Sequence, residues 1–536
     1  MSSDSQSPKE QAAQELPQSI DRRDFVRLTA FAAASAITGA AAFAEGSGQT
    51  ANGGSSSSGV AATLTIQRQR VENSVFLDSR FASLSFEKDS INRSPVYLTG
   101  ENTDLVGLLN ALGGGVLRIG ANSVDETTWT PAGSGKTSGQ VAPVDIANFA
   151  SLIRMCPRWK VIYGVNFRGK DGSTASPALA ADEAGYAAQQ LGRQLLGFEI
   201  GNEPDLYGDG ITYDIFLNGG AISGGATISG WNQFAAAIRS AVPHAVFTGP
   251  AASSDKKGWA EDFATSEAGM IALLTEHYYV SNYSSAKPSI SGLLTYPGPG
   301  LVDALQNLQT AASANKMPFR VDECNSYFAS TDPAGVANAF AAALWSIDFM
   351  MTNAQYGSSG VNFHNTGNTS GYAAIGEDDS VITAVQPLYY GLFLVSRMFR
   401  DGQPGVLLES TLSASGVALS AWAVATPLGV HVVLNNKDTA NAANVTIDGF
   451  NSYVSRAEVL NLVSSGSTPA DQLSNLGIYN GGSPITFGGQ PVSLEGKWYG
   501  MPQPLPVSGN RVTVTVAPAS ASLVFVRSFP GLWPHF

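Results

Sequence analysis

Apolar residues follow two rhythms along this chain. Between residues 81 and 363, short unbroken apolar runs alternate with stretches whose apolar positions recur every three or four residues. The runs are 81–86 (FASLSF), 115–119 (GVLRI), 161–165 (VIYGV), 196–200 (LGFEI), 245–248 (AVFT), 273–277 (LLTEH), 319–321 (FRV) and 360–363 (GVNF). Helical spacing fills 104–112, 145–155, 178–195, 231–242, 300–315 and 336–351. Strand-like runs that lack polar alternation predict parallel strands covered on both faces. Eight of them, interleaved with helices, predict an α/β fold, a closed (β/α)8 TIM barrel over 81–400. The competing open, doubly wound sheet carries a glycine-rich phosphate loop after its first strand. Here Glu87-Lys88-Asp89-Ser90 follows instead, and no such loop is present.

Beyond residue 400 the rhythm changes. Runs at 418–424, 430–434, 445–447, 454–460, 511–516 and 523–526 are short and separated by Gly, Asn, Pro and Ser turns. This predicts a C-terminal antiparallel β-sandwich over 401–536. The segment 62–80, with its ATLTIQ run, is expected to add a strand to it. Residues 45–61 are rich in Gly and Ser and read as a linker. Residues 1–44 hold Arg22-Arg23, a mild alanine-rich stretch and Ala42-Phe43-Ala44. That order resembles a twin-arginine export signal, too short and weak to span a membrane, and predicts a periplasmic or secreted bacterial protein.

Composition narrows the function classes. A net charge of −13 over 536 residues argues against nucleic acid, which requires a basic face. Two cysteines (Cys156 and Cys324, outside any Cys-x-x-Cys spacing) and five histidines make a zinc site improbable, and no metal or organic cofactor is expected. Nothing in the pattern calls for a partner subunit, so a monomer is expected.

The candidate chemistry lies at two strand ends. Catalytic groups of a TIM barrel sit where the strands end and the βα loops open. The fourth strand closes with Glu199-Ile200-Gly201-Asn202-Glu203-Pro204, and the seventh with Val321-Asp322-Glu323-Cys324-Asn325. Glu199 lies deep in its strand, whereas Glu203 is at the mouth. Strand parity lets only one of Asp322 and Glu323 face the opening. Two carboxyls converging on one sugar ring are the machinery of glycoside hydrolysis.

The Asn202-Glu203 pair with a partner at strand seven resembles the large clan of retaining glycosidases on (β/α)8 barrels. LSFE (84–87), LRIG (117–120), LGFEIGNEPD (196–205) and VDECNS (321–326) narrow the resemblance to glycoside hydrolase family 79, the bacterial β-glucuronidases and heparanases. It spans most of residues 80–527. The resemblance implies Glu203 as acid/base, Glu323 as nucleophile and Asn202 on the sugar 2-hydroxyl. It implies Tyr279, with His277 second, as the group orienting the nucleophile. Tyr327 and Tyr372 are the expected ligands of a uronate carboxylate. The residues themselves add Glu87, Asn325 and Asn365 as sugar-binding candidates. The implied substrate is a glycan or glycoside ending in β-linked glucuronic acid or its 4-O-methyl form. A neutral β-xyloside, arabinofuranoside or β-galactoside, or a non-catalytic carbohydrate-binding barrel, are the alternatives.

Overall fold

The computed structural model describes residues 59–169, 175–253, 258–280, 287–295, 297–327, 335–399, 402–450, 453–477 and 482–528. The expected export signal and most of the expected linker lie outside these residues. Eight parallel strands close a barrel, in chain order Ala82–Glu87, Gly115–Gly120, Trp159–Val165, Leu195–Ile200, Phe247–Ala252, Ile271–Tyr279, Phe319–Asn325 and Val361–His364. The eighth pairs back onto the first, Val361 opposite Ala82. They are called barrel strands one to eight below.

The helical segment at 231–242 shows how the outer layer forms. Helix Trp231–Ala241 buries Trp231, Phe234, Ala235 and Ile238, the i, i+3, i+4, i+7 stripe of an amphipathic helix. The Gln233 side chain caps its start by accepting from the Gly230 N–H at 2.7 Å. Pro243 follows Val242, a pairing that disfavours further α-helix. Trp231 packs edge-on to Phe247 of strand five and to Phe263, at 5.6 and 5.1 Å between ring centroids. Burying Phe234 and Ile238 contributes roughly 1.5–3 kcal/mol each.

The barrel interior is layered by chemistry. Val116, Ile162 and Leu273, with Leu196 against them, form an apolar floor. Above it, toward the C-terminal strand ends, the interior turns polar: Ser85, Arg118, Glu199, Thr248, Thr275 and Asp322 are all fully buried. Arg118 on strand two reaches Ser85 on strand one, Glu199 on strand four and Glu323 on strand seven, so its side chain crosses the barrel lumen.

The C-terminal β-structure is a single sheet of eleven strands, curled to enclose its own core. Val60–Arg70 is one of its strands. The expectation of purely antiparallel pairing needs one correction. Val60–Arg70 runs antiparallel to Val406–Ala414 but parallel to Ala443–Asp448. Strand alternation sorts side chains between two cores. Val430, Val432 and Leu434 face the enclosed one, and Val433, Leu523 and Phe525 face the core shared with the barrel's helices.

Helix Phe340–Gln355 is buried along its length between barrel and sheet. Its Asp348 accepts from Ser420 Oγ at 2.8 Å and Asn435 Nδ2 at 2.6 Å, and pairs with Lys437. Replacing Asp348 by alanine takes the carboxylate from all three. We expect a loss of roughly 3 kcal/mol, read as a lower denaturation midpoint. A loss below about 0.5 kcal/mol would mean that apolar packing alone holds this junction.

Candidate active site

Strand four stops at Ile200, and the next three residues turn sharply toward the barrel mouth. Gly201 has φ +80°, and a Cβ there would meet the Tyr207 hydroxyl at 2.5 Å and Phe167 at 3.0 Å. Glu203 itself adopts φ 46°, a left-handed conformation uncommon for a residue with a Cβ. Surrounding bonds hold it there. The Glu203 N–H donates to Ala251 O at 2.9 Å, and the Asn202 N–H donates to the Tyr207 hydroxyl at 3.0 Å. Tyr207 in turn donates to Asp125, which also accepts the Phe167 and Arg168 N–H groups at 2.9 and 3.2 Å. One half-buried carboxylate thus ties the loops after strands two, three and four.

Strand seven departs from regular parity. Glu276 pairs with Val321 and His277 with Glu323, so Asp322 is the extra residue of a bulge. The expectation that only one of Asp322 and Glu323 faces inward is corrected here. Both approach Arg118, at 3.4 Å from Nε and 2.7 Å from Nη1 respectively.

Oxygens of Glu203 and Glu323 and a nitrogen of His277 lie within 4.8 Å of one another. His277 Nδ1 is 2.9 Å from Glu203 Oε1. Glu323 accepts from the Tyr279 hydroxyl on one oxygen at 2.9 Å and from Arg118 on the other. Tyr278, between them in sequence, points outward and packs on Phe349 at 5.7 Å. Burial alone would raise the Glu323 carboxyl. The His364 and His277 imidazoles, Arg118 and Tyr279 outweigh it and bring it down to about 2. Glu323 is therefore ionised at neutral pH. Glu203 is the more open of the two, its side chain 18% exposed against 8%. The spacing of these three groups could bridge a cation. However, Arg118 sets a fixed positive charge against Glu323, and His277 already engages Glu203.

Arg118 organises the rest. Its Nε donates to Glu199 Oε1 at 2.6 Å, Nη1 to Glu323 and Nη2 to Asn202 Oδ1 at 2.9 Å. Asn202 Nδ2 donates to Asn122 Oδ1 at 3.2 Å. At the end of strand one, Glu87 accepts the Ser123 N–H at 2.8 Å and stands 3.5 Å from His364 Nε2. Burial opposes its charge, yet the His364 and Ser123 contacts keep Glu87 below its ordinary value. Burial likewise opposes charge on His364, and Glu323 and Glu87 overcome it, raising His364. The Tyr372 ring lies 6.1 Å from Tyr279 and 6.3 Å from His364.

No family model matches the chain. A β-glucuronidase of Aspergillus niger is 23% identical over 436 residues, covering 74% of this chain and 78% of that one. Among solved structures, a 4-O-α-L-rhamnosyl-β-D-glucuronidase of Fusarium oxysporum superimposes with a TM-score of 0.66 at 16% identity, covering 86% of this chain and 99% of that chain. The family 51 arabinofuranosidase of Xanthomonas axonopodis pv. citri gives 0.59 at 14% identity, covering 87% and 100%. These structures share the fold, a (β/α)8 barrel with a C-terminal β-domain. The chain is a glycoside hydrolase. No helix among the described residues is long and apolar enough to cross a membrane.

Three of the sugar-binding candidates are engaged elsewhere. Asn325 donates to the His364 and Tyr372 carbonyls at 3.0 and 3.3 Å and accepts the Ser326 N–H. Asn365 pairs through both amide ends with the Ile375 backbone at 2.8 and 3.0 Å. Each amide satisfies backbone groups in the segment after strand eight. The Tyr327 ring belongs to the main apolar core, and its hydroxyl meets the Ser289 backbone. Glu203, Glu323, Asn202, His277, Tyr279, Glu87 and Tyr372 do gather at the barrel mouth. Sequence reading left Arg118, Ser85 and Asp322 without a role. The one available signal was a charged residue inside the apolar run LRIG, where an unpaired guanidinium would be costly.

Proposed function

We propose that the chain is a retaining β-glucuronidase that removes terminal β-linked glucuronic acid, or its 4-O-methyl form, by double displacement. The observation that carries the mechanism is the approach of Glu203 and Glu323 to within 4.8 Å. Retaining enzymes place their carboxyls about 5–5.5 Å apart, and inverting ones about 6.5–9.5 Å to admit a water between them. In the first step Glu323 attacks the anomeric carbon while Glu203 protonates the glycosidic oxygen. The bond to the aglycone breaks and an ester to Glu323 forms. In the second step Glu203 takes a proton from water, whose oxygen attacks the same carbon and releases Glu323. Arg118 and Tyr279 hold the Glu323 oxygens before attack, and His277 steadies the Glu203 carboxyl.

The uronate assignment rests on the Aspergillus niger relative and on the family resemblance in the sequence. One observation favours a neutral sugar instead. Arg118, the cation of the central cluster, is already spent on Glu199, Glu323 and Asn202. A panel of 4-nitrophenyl glycosides separates the readings. We expect the β-glucuronide to have the highest kcat/KM. Faster turnover of the β-xyloside, α-arabinofuranoside or β-galactoside would end the uronate reading and leave the double displacement standing. The leader-like residues 1–44 fit export to the periplasm or medium.

A further inference from the structure

Beneath the catalytic pair lies a second pair of carboxyls that the reaction does not use. Glu199 and Asp322 are both fully buried. Glu199 is well provided for. Its Oε1 accepts from Arg118 Nε at 2.6 Å, and its Oε2 from the Thr275 and Thr248 hydroxyls at 3.3 and 3.5 Å. Asp322 is not. Among the described residues neither of its oxygens accepts a hydrogen bond. Arg118 Nε stands 3.4 Å away and His277 Nε2 3.8 Å. The Glu199 carboxyl is in hydrogen-bonding contact with it, and the charges of Glu323 and Arg320 also act on it.

A fully buried carboxyl that accepts no hydrogen bond gives up its charge by binding a proton. The local charge balance agrees. With Asp322 ionised, three carboxylates would face the single Arg118 guanidinium. Burial and the Glu199 charge push Asp322 well above the usual carboxylate range. Burial also acts on Glu199, but Arg118 and the Asp322 hydrogen hold it below that range.

We propose that Asp322 is a positioning residue for the nucleophile: a neutral carboxylic acid that donates its hydrogen to Glu199, so that Glu199 engages one arm of Arg118 and leaves the Nη1 arm to Glu323. The path runs from Asp322 through Glu199 and Arg118 to Glu323. The proposal rests on the reading of Glu323 as nucleophile. The bulge at Asp322 turns this side chain inward, where a regular strand would have sent it to the helix layer.

The test is the acid limb of kcat/KM against pH, which reports ionisation of the nucleophile in the free enzyme. The charged and titratable groups facing Glu323 are Arg118, Asp322, His277, His364, Tyr279, Cys324, Glu203 and Glu87. Those facing Asp322 are Glu199, Arg118, Arg320, His277 and Glu323. The parent's acid limb should lie far below that of an ordinary glutamate. In D322L, Glu199 loses its donor and draws Arg118 toward itself. The limb should then rise by about one pH unit and kcat fall by about 100-fold. D322N restores a donor to Glu199 without a charge, and should return the limb to the parental position. A D322L limb that stays in place, or a D322N limb that moves as far, would overturn the proposal. The aryl glycoside used is whichever the parent hydrolyses best, so an error about the sugar does not touch the result. Mapping a mechanism-based label checks Glu323 separately. If D322L fails to fold, infrared difference spectra of the parent against D322N decide. The parent should show the carbonyl band of a protonated carboxylic acid at neutral pH, absent in D322N, and identical spectra would refute the neutral state.

Discussion

Replacing Glu323 by alanine is expected to lower kcat on the order of 10⁴–10⁶-fold, about 5–8 kcal/mol of barrier. The side chain is the proposed covalent centre, and nothing nearby can stand in for it. Arg118 and the Tyr279 hydroxyl spend their hydrogen bonds on its two oxygens. With the His364 and His277 imidazoles they keep it ionised, at about 2 despite its burial. Stability should change far less than rate, because Arg118 keeps Glu199 as a partner at 2.6 Å. Azide gives the decisive product. In the space left by the carboxylate it should attack the anomeric carbon once, yielding the α-glycosyl azide from a β-glycoside with an activated leaving group. Near-parental turnover in this variant, or a β-azide product, would remove Glu323 from the nucleophile's role.

What the sequence made legible follows from which forces are local. The eight barrel strands show as apolar runs because both faces are buried, and solvent leaves no alternation in them. Glu203 and Glu323 stood out by context: each closes a strand, and an Asn or a Pro marks the break. Arg118 was harder to place. A charged residue inside an apolar run has meaning only once its partners are known, and those partners lie 81 and 205 residues away in sequence. Strand parity misled at Asp322, because the bulge is set by pairing between strands six and seven and leaves no local mark. Asn325 and Asn365 have the right chemistry for sugar hydroxyls. What consumes them is the backbone of a loop whose path no residue pattern announces. The parallel pairing of Val60–Arg70 with Ala443–Asp448 is likewise a contact across nearly four hundred residues, invisible to any local rhythm.

Removing the Glu203 side chain should divide substrates by their leaving group. With an alkyl or sugar aglycone the departing oxygen needs a proton, so Glu203→Ala should lower kcat/KM by about 10²–10⁴-fold. With 2,4-dinitrophenol the leaving group departs unaided, and the first step should be nearly as fast as in the parent. Water must then hydrolyse the ester without a base, so the glycosyl-enzyme should accumulate, seen as a burst of phenol and a low KM. Azide needs no base. It should relieve the second step and give the β-glycosyl azide, opposite in configuration to the product of the Glu323→Ala variant. The opposed stereochemistry fixes the two roles against each other, which neither loss of activity alone could do. His277 enters here as well. Its Nδ1 lies 2.9 Å from Glu203, and its other nitrogen faces Asp322. The imidazole thus stands between the carboxyl that trades its proton each turnover and the one proposed to keep it. An equal loss for activated and unactivated leaving groups would mean that Glu203 acts on something other than the departing oxygen.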